Sequence, residues 1–338
     1  MDFIRNRVFS RAGLIGNPSD GYNGKTMTII VRNFWAEVVL YEWNRLEIVP
    51  GTSDESDFDS IHELAKDVRL HGYYGGIRLV KAAINGFLLY CTDRKLTLPE
   101  RNFSLRYTTS IPRQVGMAGS SAIVVATLRA LMSFYEIDIP KRVLPSLVLS
   151  IEREQLGIPA GLQDRVAQVY EGCVYMDFTK EVMQTEDGFV CGKYEELPVA
   201  QLPPLYVSYS VDCSEPTEIF HNNLRFRYEQ GEPAVVSAMQ QCAELTLRAR
   251  EALLSGKQEL LPELLDANFD IRRSICSLPK EQILMVDTAR SCGASANFAG
   301  SGGAIVGTYP NEAAFDKLQH EMRNIGCETV KPILLPRQ

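Results

Sequence analysis

The spacing of apolar residues divides this chain into segments with strand or helix patterns. Alternating apolar positions and β-branched residues predict strands over residues 8–15, 26–40 (as one strand or two), 103–109, 172–178, 205–211 and 329–335. Apolar residues at three- and four-residue spacing predict helices over 61–70, 76–90, 123–135, 145–157, 164–170, 233–254, 260–276, 283–292 and 311–325. A Gly-rich turn that leads into a further strand is predicted over 296–306.

The order of these elements predicts an α+β fold. Helices and strands are mixed throughout, without the regular alternation of a doubly wound parallel sheet. The Leu-Pro-Pro segment at 202–204 disfavours both helix and tight strand pairing. We therefore predict two domains, residues 1–201 and 202–338, which agrees with a length of 338 residues.

Composition and charge narrow the classes of partner. The net charge is -7 and the isoelectric point about 5.3, which argues against nucleic acid, because phosphate backbones are bound by surplus Lys and Arg. There is no apolar run of about 20 residues that would predict a membrane span, and no apolar stretch of signal-peptide length near the start. The eight cysteines form no CxxC pair, and the four histidines form no HxxxH or HExxH pattern. We expect a cytoplasmic protein with reduced thiols, no zinc site, and no nucleic-acid or membrane partner.

The string SDGYNGKT at 19–26 resembles a phosphate-binding P-loop with its first Gly replaced by Ser. A P-loop needs a helix directly after Gly-Lys-Thr, so that the helix amides meet the phosphates. The residues that follow here, MTIIVRNFW, favour a strand. The string therefore predicts a turn between two strands.

Three other Gly-rich segments, at 13–24, 112–122 and 300–303, are candidates for ligand contact, although each alone could be a structural turn. In the central one, IPRQVGMAGSSA, Gly116 and Gly119 allow a close approach of the backbone to a ligand. Ser120 and Ser121 fall where a helix begins, and the free amides of a first turn bind anions. A serine hydroxyl there could also reach a phosphate-bound Mg²⁺, and the alternative is an ordinary Ser N-cap.

Two carboxylates follow in the segment IEREQLGIPAGLQDRVAQ at 151–168. Mg²⁺ is often held by one or two carboxylates together with nucleotide phosphates, and Glu152 is a candidate ligand. Asp164 could accept the proton of a reacting hydroxyl or stabilise developing charge. The alternatives are a solvated helix face for Glu152 and a helix N-cap for Asp164.

Together these segments resemble the GHMP kinase family in their order: RAGLIGNPSDGYNG, PRQVGMAGSSA, GLQDR and AGSGGA. Within the family, the strings GNPSDGYNG, GYYGG and GIPAGLQDRVAQVYEG are most similar to the plant-type branch that phosphorylates glucuronate. The resemblance implies a two-domain α+β architecture, with a ribosomal S5 domain 2-like N-terminal domain, a ferredoxin-like C-terminal domain and the site between them. It also implies ATP and Mg²⁺ as cofactors and a sugar as substrate.

The resemblance assigns roles by position. Asp164 and Arg11 match the catalytic pair, and Glu152 with one of the two serines, taken as Ser121, matches the Mg²⁺ ligands. Asp20 matches an acid that hydrogen-bonds sugar hydroxyls, and Tyr22 lies in the same loop. The expected ATP-phosphate loop comprises Pro112, Gly116, Met117, Ala118, Gly119, Ser120 and Ser121. The third motif, expected at the substrate, comprises Gly300, Ser301, Gly302 and Gly303.

The sequence also departs from the family pattern and leaves the sugar open. Asn17-Pro18 stands where galactokinase-like members have Glu-His, and Asn297 and Ala299 stand where Lys and Thr are common. A uronate carboxylate calls for a bidentate arginine, for which the candidates are Arg78, Arg113 and Arg165, each with a surface arginine as the alternative. Galacturonate, arabinose, fucose or a heptose are alternative substrates, and an inactive kinase-like binding protein is the alternative class.

Overall fold

The structure is a computed structural model that describes residues 3–50, 75–211 and 218–335; of residues 218–223 only the backbone is described. The helix predicted at 61–70 lies outside the described residues. Among the described helices, none combines the length and the apolar character that a membrane span needs.

The first part of the chain builds a six-stranded sheet and the helices that cover it. Its elements are β1 (Ile4–Ile15), β2 (Lys25–Trp43), β3 (Glu47–Val49), α1 (Gly76–Asp93), β4 (Asn102–Thr109), α2 (Gly119–Tyr135), α3 (Leu144–Ser150), a π-helical turn (Ile151–Gln155), α4 (Gln163–Tyr170), β5 (Cys173–Asp177), β6 (Gln184–Glu186), β7 (Phe189–Cys191) and β8 (Lys193–Leu197). The sheet order is β3-β4-β2-β5-β8, with β1 paired to β2 and β6 and β7 forming a separate hairpin. The P-loop-like string is followed by β2, which confirms the predicted turn between strands.

The second part of the chain builds a four-stranded antiparallel sheet. Its elements are β9 (Leu205–Ser210), α5 (Glu218–Glu229), α6 (Pro233–Leu254), α7 (Leu261–Ile275), α8 (Lys280–Ser291), β10 (Asn297–Phe298), β11 (Ala304–Thr308), α9 (Glu312–Asn324) and β12 (Cys327–Val330). The order is β10-β11-β9-β12. No described strand is shared by the two sheets, and the predicted domain boundary after residue 201 stays a proposal that agrees with this separation.

The predicted helix after the central Gly-rich loop lies in the hydrophobic core of the first part of the chain. Helix α2 packs against α1 and against β1 and β2. Val124, Leu128 and Leu131 face this core with at most 1% exposure, as their three- and four-residue spacing predicts. Removing each such side chain from water stabilises the fold by about 1.5–3 kcal/mol. The start of α2 is therefore fixed in position relative to the end of β1.

The last predicted strand was wrong in its extent. Instead of 329–335, strand β12 covers Cys327–Val330, and the following residues leave the sheet. Pro332 has no N–H to donate to a ladder, while the amide of Ile333 donates to Asn33 Oδ1 and its carbonyl accepts from the amide of Arg32. The chain therefore ends its second sheet early and attaches to the bulged part of β2.

Candidate active site

The central Gly-rich loop forms a cradle at the N-terminus of α2. Gly116 and Ala118 have positive φ values of 67° and 62°, and Ala118 occupies the N-cap position without a side-chain hydrogen bond to the helix. The Ser N-cap alternative was therefore wrong, since Ser120 and Ser121 lie inside the first turn. Their hydroxyls donate to Glu152 Oε1 at 3.1 Å and to the Ala118 carbonyl at 3.2 Å, respectively. The first-turn amides of α2 receive no side-chain cap, so they can bind an anion.

The second and third Gly-rich segments meet backbone to backbone. A Cβ atom on Gly300 would lie 2.2 Å from the Gly116 carbonyl oxygen, and one on Gly116 would lie 2.9 Å from the Gly302 carbonyl oxygen. Such distances exclude a side chain at either position without a shift of the backbone. Glycine in both motifs is therefore required for this close approach.

Arg11, in the second half of β1, joins these segments. The Arg11 Nε donates to Asp164 Oδ1 at 2.7 Å. The Arg11 Nη1 donates to the Gly116 carbonyl at 2.5 Å and to the Ala299 carbonyl at 2.8 Å. The side chain is buried, with the residue 5% exposed. The structure thus brings the predicted catalytic pair into direct contact, beside the phosphate loop and the third motif.

The second predicted carboxylate, Glu152, lies on the π-helical turn and is 0% exposed. Its Oε2 accepts from Arg165 Nε at 2.5 Å, and Arg165 Nη1 also lies 3.2 Å from Asp164 Oδ2. Burial raises the pKa of Glu152, while the Arg165 charge and the bonds from Arg165 and Ser120 act in the opposite direction. The solvated-face alternative for Glu152 was wrong. The N-cap alternative for Asp164 was also wrong, because α4 begins one residue before it.

The donor set at Glu152 fits Mg²⁺. Oε1 of Glu152 and the hydroxyl of Ser120 are hard oxygen donors placed side by side at the phosphate cradle. The described residues contain no group of three His, Cys, Asp or Glu side chains that could enclose a metal ion. Mg²⁺ bound to phosphates needs only one or two protein ligands, so this small set suffices. The predicted Ser121 ligand stays a prediction, and the structure places Ser120 nearer to Glu152.

The loop after β1 carries Asp20 and Tyr22 on a 3-10 turn. A Cβ atom on Gly161 would lie 2.8 Å from Asp20 Oδ2, so the loop before α4 closes directly over this carboxylate. Tyr22 is 8% exposed and its ring centroid lies 4.8 Å from that of Tyr228. Desolvation, aided by the charge of Asp164 and opposed by that of Arg11, raises the pKa of Asp20 to about 6.

We expect Asp20→Asn to stabilise the fold and to weaken sugar binding. The folded state holds the Asp20 proton more tightly than the unfolded state, so the aspartate reduces stability as pH rises from about 4 to about 6, and the cost persists above that range. At pH 7.5 the free energy of unfolding of Asp20→Asn should rise by about 3 kcal/mol, measured by urea titration. At pH 5 about half of this gain should remain, because Asp20 is still ionised in the unfolded chain, and the gain should largely disappear only below about pH 4.

The same variant should raise the KM for the sugar about tenfold, because a neutral amide is a weaker acceptor for hydroxyl groups than a carboxylate. Asp138→Asn, at an exposed position, is the control and should change neither quantity. Equal stability of wild type and Asp20→Asn at pH 7.5 would contradict the raised pKa of a desolvated Asp20 carboxylate.

Residues from the second part of the chain hold the loops of the site, and sequence reasoning missed two of them. The side chain of Asn268, on α7, accepts from the Gly16 amide at 2.7 Å and donates to the Asn17 carbonyl at 2.9 Å. Arg272, one turn further along α7, is buried and donates to the carbonyls of Gly300 and Ser301 at 2.9 and 3.3 Å. The amphipathic pattern of α7 predicts which face of the helix is buried. It does not indicate that Asn268 and Arg272 bond to residues so distant in sequence.

The three arginines predicted for a substrate carboxylate lie in different surroundings. Arg165 is buried. Its guanidinium forms ion pairs with Glu152 and Asp164 and donates a hydrogen bond to the Gly161 carbonyl. Arg113 is exposed on the loop before Gly116. Arg78 is exposed on the first turn of α1 and lines a shallow pocket with Leu156 and Ile158. A substrate role for Arg78 and Arg113 stays a prediction.

Comparisons with known proteins match this arrangement. The GHMP kinases N terminal domain matches residues 78–172. The chain is 42% identical to Glucuronokinase 1 of Arabidopsis thaliana, covering 98% of this chain and 91% of that protein. Its structure is similar to that of the Lin0012 protein from Listeria innocua, with a TM-score of 0.77, 15% identity and 98% of each chain covered. It is also similar to Methanococcus jannaschii mevalonate kinase, with a TM-score of 0.72, 17% identity and 99% of each chain covered.

Proposed function

The chain belongs to the GHMP kinase family, as its motifs and its fold predict, and from this we propose that it transfers the γ-phosphate of ATP to the anomeric hydroxyl of D-glucuronate. The product is glucuronate 1-phosphate. One observation carries the choice of sugar: the 42% identity to Arabidopsis Glucuronokinase 1, which extends over 98% of this chain. The alternatives are other sugars, phosphorylated in the same type of reaction.

The chain's own residues suit phosphoryl transfer, which needs positioning and charge neutralisation more than covalent help. The uncapped amides of α2 and the glycines of the cradle would bind the ATP phosphates. Asp164 would accept a hydrogen bond from the anomeric hydroxyl and direct it at the phosphorus. Arg11 lies between Asp164 and the cradle, so its guanidinium would stabilise negative charge on the transferred group.

Glu152 and Ser120 would hold Mg²⁺, which supplies positive charge to the nucleotide phosphates when bound. Arg165 keeps the Glu152 carboxylate in place through the opposite oxygen, and leaves Oε1 directed at Ser120. Asp20, across from Gly161, would accept hydrogen bonds from the sugar hydroxyls.

An ADP-release assay over a panel of sugars tests the proposal. We expect kcat/KM for D-glucuronate to exceed that for glucose, galactose and arabinose by at least about 100-fold, because a neutral sugar leaves the groups that would pair with the carboxylate without their partner. The product should be acid-labile, as an anomeric phosphate is. Turnover restricted to neutral sugars would remove glucuronate and retain the kinase, whereas no turnover on any sugar would favour the inactive kinase-like class.

A further inference from the structure

Two arginines that the mechanism above does not use flank the contact between Asp20 and Gly161. The first, Arg225, lies on α5 and is exposed. A Cβ atom on Gly21 would lie 3.8 Å from Arg225 Nη2, and the guanidinium carbon lies 5.8 Å from the ring centroid of Tyr22. The guanidinium of Arg225 is therefore next to the loop that carries Asp20.

The second, Arg153, approaches from the N-terminal sheet side, on the exposed face of the π-helical turn. Its Nε donates to the Ala160 carbonyl at 2.9 Å. The next residue, Gly161, lies against the Asp20 carboxylate. Arg153 is thus hydrogen-bonded next to Gly161, and Arg225 lies against Gly21, next to Asp20, so the two arginines approach the same contact from different parts of the chain.

Neither arginine forms an ion pair with a described side chain. Among the side chains that the structure describes, no carboxylate oxygen lies within 4.0 Å of either guanidinium. Both guanidiniums are positively charged and lie on the two sides of one contact, so they repel one another. An anion placed between Arg153 and Arg225 would relieve this repulsion.

We propose that Arg153 and Arg225 form a clamp for the carboxylate of a uronic acid, an inference that rests on the proposed sugar kinase function. In a pyranose uronate the carbon that bears the carboxylate is separated from the anomeric carbon only by the ring oxygen. A sugar whose anomeric hydroxyl meets Asp164 therefore carries its carboxylate a short distance from that hydroxyl, and a sugar ring directed toward the Asp20 loop brings this carboxylate between the two arginines. Each guanidinium offers a planar pair of donors that matches a carboxylate.

Other anions in the site have other partners. The phosphate cradle is built by Gly116 and the start of α2, with Arg11 at its inner side. Arg165, the third nearby guanidinium, is committed to Glu152 and Asp164. Arg153 and Arg225 are on the Asp20 side of these groups, which favours a carboxylate of the sugar over the phosphates of the nucleotide.

Steady-state kinetics of Arg225→Met, Arg153→Met and the double variant test the clamp. Each single variant should raise KM for glucuronate by about 10- to 100-fold, the effect of losing a charge-assisted hydrogen bond. The kcat and the KM for ATP should stay within about twofold, since the loss is uniform in ground and transition states. Arg225→Lys, which keeps the charge and loses the fork, should lie between wild type and Arg225→Met. The matched control, Arg248→Met on the exposed face of α6, should behave as wild type.

The double variant should also lose its preference for glucuronate over glucose, while its activity on glucose stays at the wild-type level. An unchanged KM for glucuronate in the double variant would overturn the clamp, as would a rise in KM for ATP instead. Wild type is measured first on glucuronate, galacturonate and glucose. Activity on galacturonate alone overturns the proposed sugar, and a KM for galacturonate that is unchanged in the double variant then overturns the clamp, whereas activity on glucose alone overturns both.

Discussion

Replacing Asp164 by Asn should lower kcat by about 10²–10⁴-fold, the range for a group that orients or deprotonates a reacting hydroxyl. The substitution keeps the shape of the side chain but removes the negative charge that holds Arg11 at 2.7 Å and faces Arg165 at 3.2 Å. The hydroxyl then loses its acceptor, and Arg11 loses the partner that aims it at the transferred group. The KM for ATP should change little, because the proposed binding groups for the ATP phosphates are the cradle glycines and the first-turn amides of α2, whereas Asp164 is proposed to act on the sugar hydroxyl.

A matched control for this experiment is Asp187→Asn. Asp187 also pairs with an arginine, Arg94, at 2.6 Å, but on the β6–β7 hairpin. Its variant should retain the wild-type kcat. Near-normal turnover of Asp164→Asn, with an unchanged thermal unfolding transition, would remove Asp164 from the chemistry and leave Arg11 as the principal catalytic group.

Replacing Arg165 by Met should lower the free energy of unfolding by about 3–5 kcal/mol, because it leaves the Glu152 carboxylate buried without its partner. The side chains of this pair are only 4% and 0% exposed, so water cannot take the place of the guanidinium. The double variant Glu152→Gln with Arg165→Met should recover most of the loss, since no unpaired charge remains. Urea unfolding of the two single variants and the double variant measures the coupling between the two residues.

The comparison for this ion pair is Arg94→Met, which breaks the more exposed pair with Asp187. That change should cost no more than about 1 kcal/mol, because solvent screens exposed charges. If Arg165→Met and Arg94→Met destabilise the protein equally, the Glu152–Arg165 pair is solvated in solution and its proposed role in fixing a metal ligand loses its basis.

Much of the site could be predicted from the sequence because its parts lie in short motifs. The glycines of the cradle, Glu152 and Asp164 are each marked by local composition, and the helix that follows the cradle is marked by its apolar spacing. The family pattern adds Arg11, which is otherwise one of three arginines in strand β1.

The remaining parts depend on contacts between distant segments. Asn268 bonds the loop at Gly16 across 252 positions of sequence, and nothing near Asn268 indicates that partner. Ser120 illustrates the same limit at shorter range. Its position predicts a helix cap, but the left-handed Ala118 takes the cap position and frees the hydroxyl for Glu152. Local propensity defines the options of a polar side chain, and tertiary contacts select among them.

The link that Arg11 makes to the C-terminal segment uses a main-chain oxygen, that of Ala299. Every amino acid supplies that atom, so the junction imposes no side-chain identity on position 299. Divergence there, such as Ala in place of the more common Thr, leaves the acceptor for the guanidinium unchanged. Chimeric proteins that join the first half of this chain to the second half of a relative should therefore keep the hydrogen bond from Arg11 to this carbonyl. The bond should form even where the grafted motif has another residue at position 299.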